Sequence, residues 1–474
     1  MVLTLGCKLN QLESESLTDV FLKAGFQLAV MSVQSRENIP PPSIIIINTC
    51  TVTSKADQKA RRVIRKALRD YPASCVIVTG CYARLNREEL LKLNTETPLR
   101  LFVINKEAIL NLPQYLNGSQ LSALNSRLSD YIAHNTRSMA HNYQFSFNPE
   151  FFTGHTRSFL KIQDGCGKHC TYCRIRLARG PSVSLEKGEV LSRLRLLEKN
   201  HAEAVLTGVN ISQYGGQGSG AGDLGLAELL DYLLSGTERI AIRLSSLAPD
   251  SIDEELAQVL SNKRIRPHFH LSVQSGSAKI LEKMGRRYNA EIVQKAVFLL
   301  RSVKDDPFLA CDIIAGFPGE TEEDFEETFS LCEKIGFAWI HVFPYSKRPG
   351  TPSFSFTDNV SESEVTKRVQ LFTELAKEGR MKYINRWIGR EVEVLIENRK
   401  QTTVNREKIA FGTTDNYLKA LIRRGEHCTV TSAGRETLSF PSGSVLWCKL
   451  TGVADIDDCG VIAVPVLRTP EENR

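Results

Sequence analysis

The sequence lacks long apolar runs. Stretches such as Ile44–Ile47 stop far short of the roughly 20 residues that span a bilayer, so no membrane partner is expected. The opening MVLTLGCKLNQLESE lacks the basic-then-apolar pattern of a secretory leader, and a cytoplasmic location is expected. Charge of one sign is also scarce. Sixty Lys+Arg against 54 Asp+Glu leave +6, too little to select a nucleic-acid partner without asking where the charge sits. A composition of 42% hydrophobic and 24% charged residues suits a globular chain. Its 474 residues leave room for about two to four domains.

Cysteine, by contrast, is plentiful. Twelve in a long chain of this type point to metal or redox chemistry rather than a disulfide framework. Cys311 lies in the apolar run FLACDIIAGF and Cys332 in a helical pattern, as small core residues do. Cys75, Cys428, Cys448 and Cys459 have no neighbour at a ligand spacing.

Four parts follow one another, with a short tail. In residues 1–118, strands at Leu3–Leu5, Ile44–Ile47, Val76–Thr79 and Leu101–Ile104 alternate with helical patterns such as Leu12–Gly25, which reads as a parallel α/β domain. Residues 119–154 are polar with no sustained period and read as a linker. Residues 155–385 carry six strands, Arg157–Gln163, Glu203–Val209, Ile240–Ser245, His268–Gln274, Phe308–Ala315 and Ala338–Phe343. Helical patterns such as Leu226–Ser235 and Thr321–Ile335 separate them. Six βα units predict a (β/α)6 partial barrel with its active site at the C-terminal strand ends. Residues 386–463 hold strand-like runs at Glu391–Ile396, Tyr417–Ile422, Cys428–Thr431 and Val445–Leu450. They predict a small β-barrel of the kind that holds RNA. Residues 464–474 form the tail.

The strongest local signal is Cys166-Gly-Lys-His-Cys170-Thr-Tyr-Cys173, directly after the first barrel strand. Three thiolates in one loop can hold three irons of a 4Fe–4S cube and leave the fourth iron open. A zinc site is the alternative. It needs a fourth ligand, and His169, between two of the cysteines, would be strained in that part. A second triplet is dispersed: Cys7 in TLGCKLNQ, Cys50 in INTCTVTS and Cys81 in VTGCYARL, each just past a predicted strand. In a parallel sheet those ends share one edge, so the three could converge, or they could be independent loop thiols.

The spacing C-x3-C-x2-C on a barrel strand resembles the radical S-adenosylmethionine superfamily. That resemblance implies that the open iron chelates the cofactor's methionine part and that a 5′-deoxyadenosyl radical results. It places Tyr172 near the adenine. Gly208 and Asn210 in LTGVN, and Gln274 in HLSVQSGS, stand at strand ends where cofactor contacts gather, although turn residues also occupy such places. Together with FLKIQDGC and FPYSKRPGTP, the two triplets look like the methylthiotransferase family, and the terminal β module is similar to its TRAM domain. The resemblance implies a second 4Fe–4S cluster on Cys7, Cys50 and Cys81 that binds or donates sulfur.

Of the family's branches, TLGCKLNQLESE with Cys50-Thr51-Val52-Thr53 and Cys81-Tyr82-Ala83 is most similar to the one acting on N6-threonylcarbamoyladenosine in tRNA. The alternatives are isopentenyladenosine in tRNA, an aspartate of a ribosomal protein and, outside enzymes, an iron–sulfur RNA sensor. One departure stands out. Where the family usually reads C-I-I-P-x-x-R-G, this chain has Cys173-Arg-Ile-Arg-Leu-Ala-Arg-Gly180. Arg174 and Arg176 are thus available to meet a phosphate or the threonylcarbamoyl carboxylate.

The expected partners are a tRNA anticodon stem-loop and an electron donor. Lys55, Lys59, Arg62, Lys66 and Arg69 recur at helical spacing and form a cationic stripe suited to phosphates. Arg399, Lys400, Lys419, Arg423 and Arg424 add a second basic region. Removing the terminal module is expected to weaken RNA binding and spare cofactor cleavage.

Overall fold

The structure, a computed structural model, describes residues 1–28, 41–93, 100–116, 124–134, 145–146, 156–216, 224–397, 402–404, 407–423, 441–454 and 460–466. The N-terminal strands Val2–Thr4, Ile44–Thr49, Cys75–Gly80 and Leu101–Val103 form a parallel sheet in chain order. Both faces are covered, which explains the unbroken run of isoleucines. Ile45 and Ile47 join Ala60, Ile64 and Tyr82 on one face. Ile44 and Ile46 join Leu12, Leu17 and Phe21 on the other.

The segment expected to be an aperiodic linker holds a helix, Leu124–His134. Leu124, Leu128 and Tyr131 recur at the spacing of one helical face and are buried in the N-terminal core, and the Tyr131 hydroxyl donates to the Ala108 carbonyl. Three buried apolar residues in eleven are too sparse a stripe to stand out from the polar residues around them.

The central strands Ser158–Lys161, Glu203–Thr207 and Ala241–Leu244 run parallel, as do His268–Gln274, Phe308–Ala315 and Trp339–Pro344. Single bridges, Ile242 to Ile265 and Leu247 to Leu271, join the two groups. The six strands make an arc, and helices such as Leu226–Gly236, Ala290–Val303 and Glu322–Ile335 pack on its outside. This is the expected partial barrel, with strand bounds displaced by a residue or two.

At the C-terminus, Glu391–Ile396, Val445–Ala454, Gly460–Pro465, Lys419–Ile422 and Glu407–Thr414 pair in that order, and the last closes on the first. The short strand Thr402–Val404 hangs on Glu407–Thr414. The expected strand Cys428–Thr431, and with it Cys459, Arg399, Lys400 and Arg424, lies outside the described residues.

This β-barrel is not a separate bead. Val392, Val394, Ala420 and Leu450 share one apolar core with Phe308, Ala310, Tyr383 and Trp387 from the central part. Beside that core, Glu203 accepts from Arg243 at 2.7 and 2.9 Å and from Arg266 at 3.0 Å. Arg266 reaches on to Glu393 of the small barrel at 2.5 Å. Tyr417, held at a φ of 71° in a turn of the small barrel, stacks on His268 with ring centroids 3.9 Å apart. The small barrel therefore floors the large one. Removing it would open the shared core and take Glu393 from Arg266 and the Thr414 carbonyl from Arg243, so the truncation expected to weaken RNA binding and spare cofactor cleavage also bears on stability.

Candidate iron–sulfur and cofactor site

The loop Cys166–Cys173 follows the two-residue strand Gln163–Asp164 at the C-terminal rim of the arc. Backbone bonds pin it: Cys166 N–H donates to Gly180 O, Cys173 N–H to Cys170 O, and Thr171 N–H to Met284 O. Burial pushes the Cys173 thiol up to about 12, and Cys170 and Cys166 push it the same way against the Ile175 N–H. Cys166 is also raised, by burial first. Thiols that neighbouring sulfurs hold back from ionising would be relieved by a bound polycation, and a 4Fe–4S cluster fits this donor set.

The phrase FLKIQDGC has a mechanical reason. Gln163 accepts from the Asn210 backbone N–H at 2.8 Å and donates to Gly165 O at 2.8 Å, which ties the thiol loop to the turn after the second strand. Gly208 sits so close that a Cβ there would lie 2.8 Å from the Gln163 side chain. Gln274 ends its strand at a φ of 69°, a conformation that a non-glycine residue adopts at a cost. Tyr172 is half-buried, and its hydroxyl accepts from Arg286 at 2.7 Å. The four expected cofactor residues thus stand at one end of the arc, on the loop and strand ends around the three thiols.

The dispersed triplet stands where parallel strands end. Cys7 caps the helix Lys8–Lys23, Cys50 follows Thr49, and Cys81 opens the helix after Gly80. Gly6 and Gly80 have φ of 123° and 100°, and a Cβ on either would lie 2.5 Å or less from Cys50 or Thr49. Only glycine lets these two chain turns pass so near. Burial raises the Cys50 thiol to about 12, and Cys7 and Cys81 add to the rise. Cys7 and Cys81 thus lie within electrostatic reach of Cys50. Among the described residues, no three His, Cys, Asp or Glu side chains are arranged to hold a single metal ion.

Arg179 lies between the two triplets. It is the last residue of the helix Ile175–Arg179 that follows Cys173. It donates to Glu13 at 3.0 Å and to both Asp164 oxygens at 3.0 Å. Lys106 and Lys161 complete this buried lattice at 2.6 Å from Glu13 and 3.0 Å from Asp164. Burial raises the Glu13 carboxyl, but Arg179 and Lys106 outweigh it and hold the group at about 2.

Arg348, from FPYSKRPGTP, makes a second tie. Almost fully buried, it donates to Thr51 Oγ1 at 2.7 Å and Asp57 Oδ2 at 2.6 Å. Both arginines stand in motifs quoted above, but the role of neither could be read there, because each meets its partners across the fold. Of the two unusual arginines, Arg174 is buried 4.0 Å from Asp57, and Arg176 rests on His169 at the surface. Both are occupied elsewhere.

The cationic stripe is present: Lys55, Lys59, Arg62, Lys66 and Arg69 are exposed on the helix Ser54–Asp70. Lys419 is not part of a surface patch. It pairs with Glu397 at 2.9 Å and faces the barrel interior.

Residues 160–332 match the radical SAM superfamily, and residues 1–101 match a group described as uncharacterized protein family UPF0004. The chain is 38% identical to the threonylcarbamoyladenosine tRNA methylthiotransferase MtaB of Treponema pallidum, over 89% of this chain and 94% of that one. The chain belongs to the radical S-adenosylmethionine methylthiotransferases, in their threonylcarbamoyladenosine branch.

A tRNA-2-methylthio-N(6)-dimethylallyladenosine synthase of Rickettsia canadensis is more distant, at 29% identity over 83% of this chain and 87% of its own. Among solved structures, the radical S-adenosylmethionine methyltransferase TsrM of Kitasatospora setae is similar, with a TM-score of 0.48 and 14% identity over 72% of this chain and 73% of that one. As a radical SAM protein, this methylthiotransferase uses S-adenosylmethionine and a 4Fe–4S cluster. Among the described residues, no helix is long and apolar enough to cross a membrane.

Proposed function

We propose that this methylthiotransferase adds a methylthio group to position 2 of N6-threonylcarbamoyladenosine beside a tRNA anticodon. The observation that carries the reading is the joining of two cysteine sets through Arg179, whose guanidinium lies within electrostatic reach of Cys7 and Cys81 six residues after Cys173. Cys166, Cys170 and Cys173 hold the cluster that engages the cofactor, and Cys7, Cys50 and Cys81 hold a second one that carries sulfur. When bound, the first cluster and its cofactor supply abstraction of a hydrogen atom from an unactivated carbon. The protein's own residues orient and exclude. Tyr172, fixed by Arg286, and the strand-end residues Gly208, Asn210 and Gln274 position the cofactor. The Glu13–Arg179–Asp164 lattice fixes the spacing of the thiol sets.

The chain divides for these tasks at residues 1–118, 155–385 and 386–463. The exposed cationic helix Ser54–Asp70 and the TRAM-like β-barrel bring in the anticodon stem-loop. An external electron donor reduces the clusters, and the cytoplasm is where such a donor and tRNA meet. The test offers reconstituted protein two stem-loops, one with threonylcarbamoyladenosine and one with isopentenyladenosine. Mass spectrometry of the nucleosides should show the methylthio group chiefly on the first. Chief modification of the second would overturn the substrate while leaving the radical chemistry in place.

A further inference from the structure

The two cysteine sets leave the inside of the partial barrel unexplained. A cavity of about 780 Å³ runs from Cys7 and Val52 at the rim to Tyr417 and Lys419 at the floor. Much of its wall is apolar, with Val52, Phe308 and Trp339, but a band of polar residues stands among these where strand side chains alternate inward. His268, His270 and Ser272 face inward from one strand, Asp312 from the next and His341 from the last. The rings of His270 and His341 stack with centroids 5.1 Å apart. His270 Nε2 is 2.9 Å from Asp312 Oδ1 but off the hydrogen-bond direction, and His268 Nδ1 and Ser245 Oγ also lack hydrogen-bond partners among the described residues. Unsatisfied polar atoms around so large a space fit a polar ligand better than a core.

Lys8 supplies the charge. It follows Cys7 directly and lines the same cavity. Among the described residues its ammonium has no hydrogen-bond or ion-pair partner. An anion placed in the cavity beside it would give that ammonium a partner. The other cations near the rim are committed: Arg179 to Glu13 and Asp164, and Arg174 toward Asp57.

We propose that Lys8 is the specificity-determining residue, receiving the carboxylate of the threonylcarbamoyl arm inside the barrel. This rests on the substrate proposed above. In adenine, one ring nitrogen separates C2 from the carbon that bears N6. A base whose C2 edge faces Cys7 can therefore send its N6 arm into the cavity. Lys8 and the His270–Asp312–His341 wall then replace the water lost by the arm. An isopentenyl arm would leave Lys8 and that polar band unpaired, which is how buried polar groups reject an apolar analogue.

The test gives reconstituted holoenzyme two stem-loops that differ only in the arm, one ending in the carboxylate and one in the carboxamide. The readout is the ratio of kcat/KM values for methylthiolation. Both loops are assayed on one preparation, so incomplete iron loading cancels. Wild type should favour the carboxylate roughly 10- to 100-fold, as for a charge-assisted hydrogen bond. K8Q should bring the ratio close to one. A K8Q ratio equal to wild type, or a wild-type ratio of one, would overturn the role of Lys8. If K8Q is inactive, K8R is used: its longer, planar group should give a ratio between wild type and one, and an unchanged ratio overturns the proposal. Preference of wild type for isopentenyl loops would instead overturn the substrate reading, and the carboxylate-to-carboxamide ratio keeps the two failures apart.

Discussion

The two ends of the partial barrel are closed in different ways. At the rim, the N-terminal sheet is held by ion pairs drawn from distant parts of the chain, Glu13 with Arg179 and Asp57 with Arg348. At the floor, a buried carboxylate again sits between two arginines, Glu203 with Arg243 and Arg266. There, however, the charges border an apolar core that includes Phe308, Tyr383 and Trp387. The rim thus spends its interface on holding thiols at set positions, which directional charged bonds do well. The floor seals, which apolar contact does well. Chemistry belongs to the first end and stability to the second.

The largest expected effects should separate the two thiol sets at the rim. Replacing Cys166, Cys170 and Cys173 with Ala should abolish reductive cleavage of S-adenosylmethionine. Replacing Cys7, Cys50 and Cys81 should preserve cleavage and abolish the methylthio product. Each triple change should leave about half of roughly eight irons per chain, read by iron assay. An unchanged iron content in the second variant would remove the auxiliary cluster from the account.

The floor is probed by E203Q. It leaves Arg243 and Arg266 buried without their common carboxylate and should cost about 3–5 kcal/mol in denaturant unfolding. A loss below about 1 kcal/mol, the range of surface pairs, would mean that the apolar core alone does the sealing.

The smallest effect is shared by both ends. Burial opposes ionisation of Glu13 and Glu203, but their arginine neighbours hold each at about 2 against an ordinary 4.5. A lowered carboxyl contributes stability that is present above pH 4.5 and lost as pH falls toward 2. Acid unfolding should therefore steepen across that window, and E203Q should flatten it in part. Equal slopes for E203Q and wild type would place the acid sensitivity elsewhere.

Much of this was legible in the sequence, for physical reasons. Cys166, Cys170 and Cys173, proposed above to hold the first cluster, stand out because one short loop carries all three. Cys7, Cys50 and Cys81 could be connected because parallel strands deliver their ends to one edge. The inward face of His268, His270 and Ser272 was also there to be seen as a period of two. Arg179, Arg348 and Lys8 stand in motifs that the sequence offers, but their roles were not legible. Their partners lie up to 297 residues away in sequence or across a cavity. Lys419 was misjudged for the same reason: a lysine beside a turn looks solvated until Glu397 is found next to it.

The helix Ser54–Asp70 has one more consequence. It starts four residues after Cys50, is capped by Thr53, and has its first turn clamped by Arg348 through Thr51 and Asp57. Its 17 residues extend about 25 Å at the usual helical rise. Between that helix and Cys50 lie Thr51, Val52 and Thr53 alone. A polyanion lying along this helix is thereby indexed against Cys50 as along the scale of a ruler, so that a shift of one phosphate at the far end would be felt as misregistry at the sulfur.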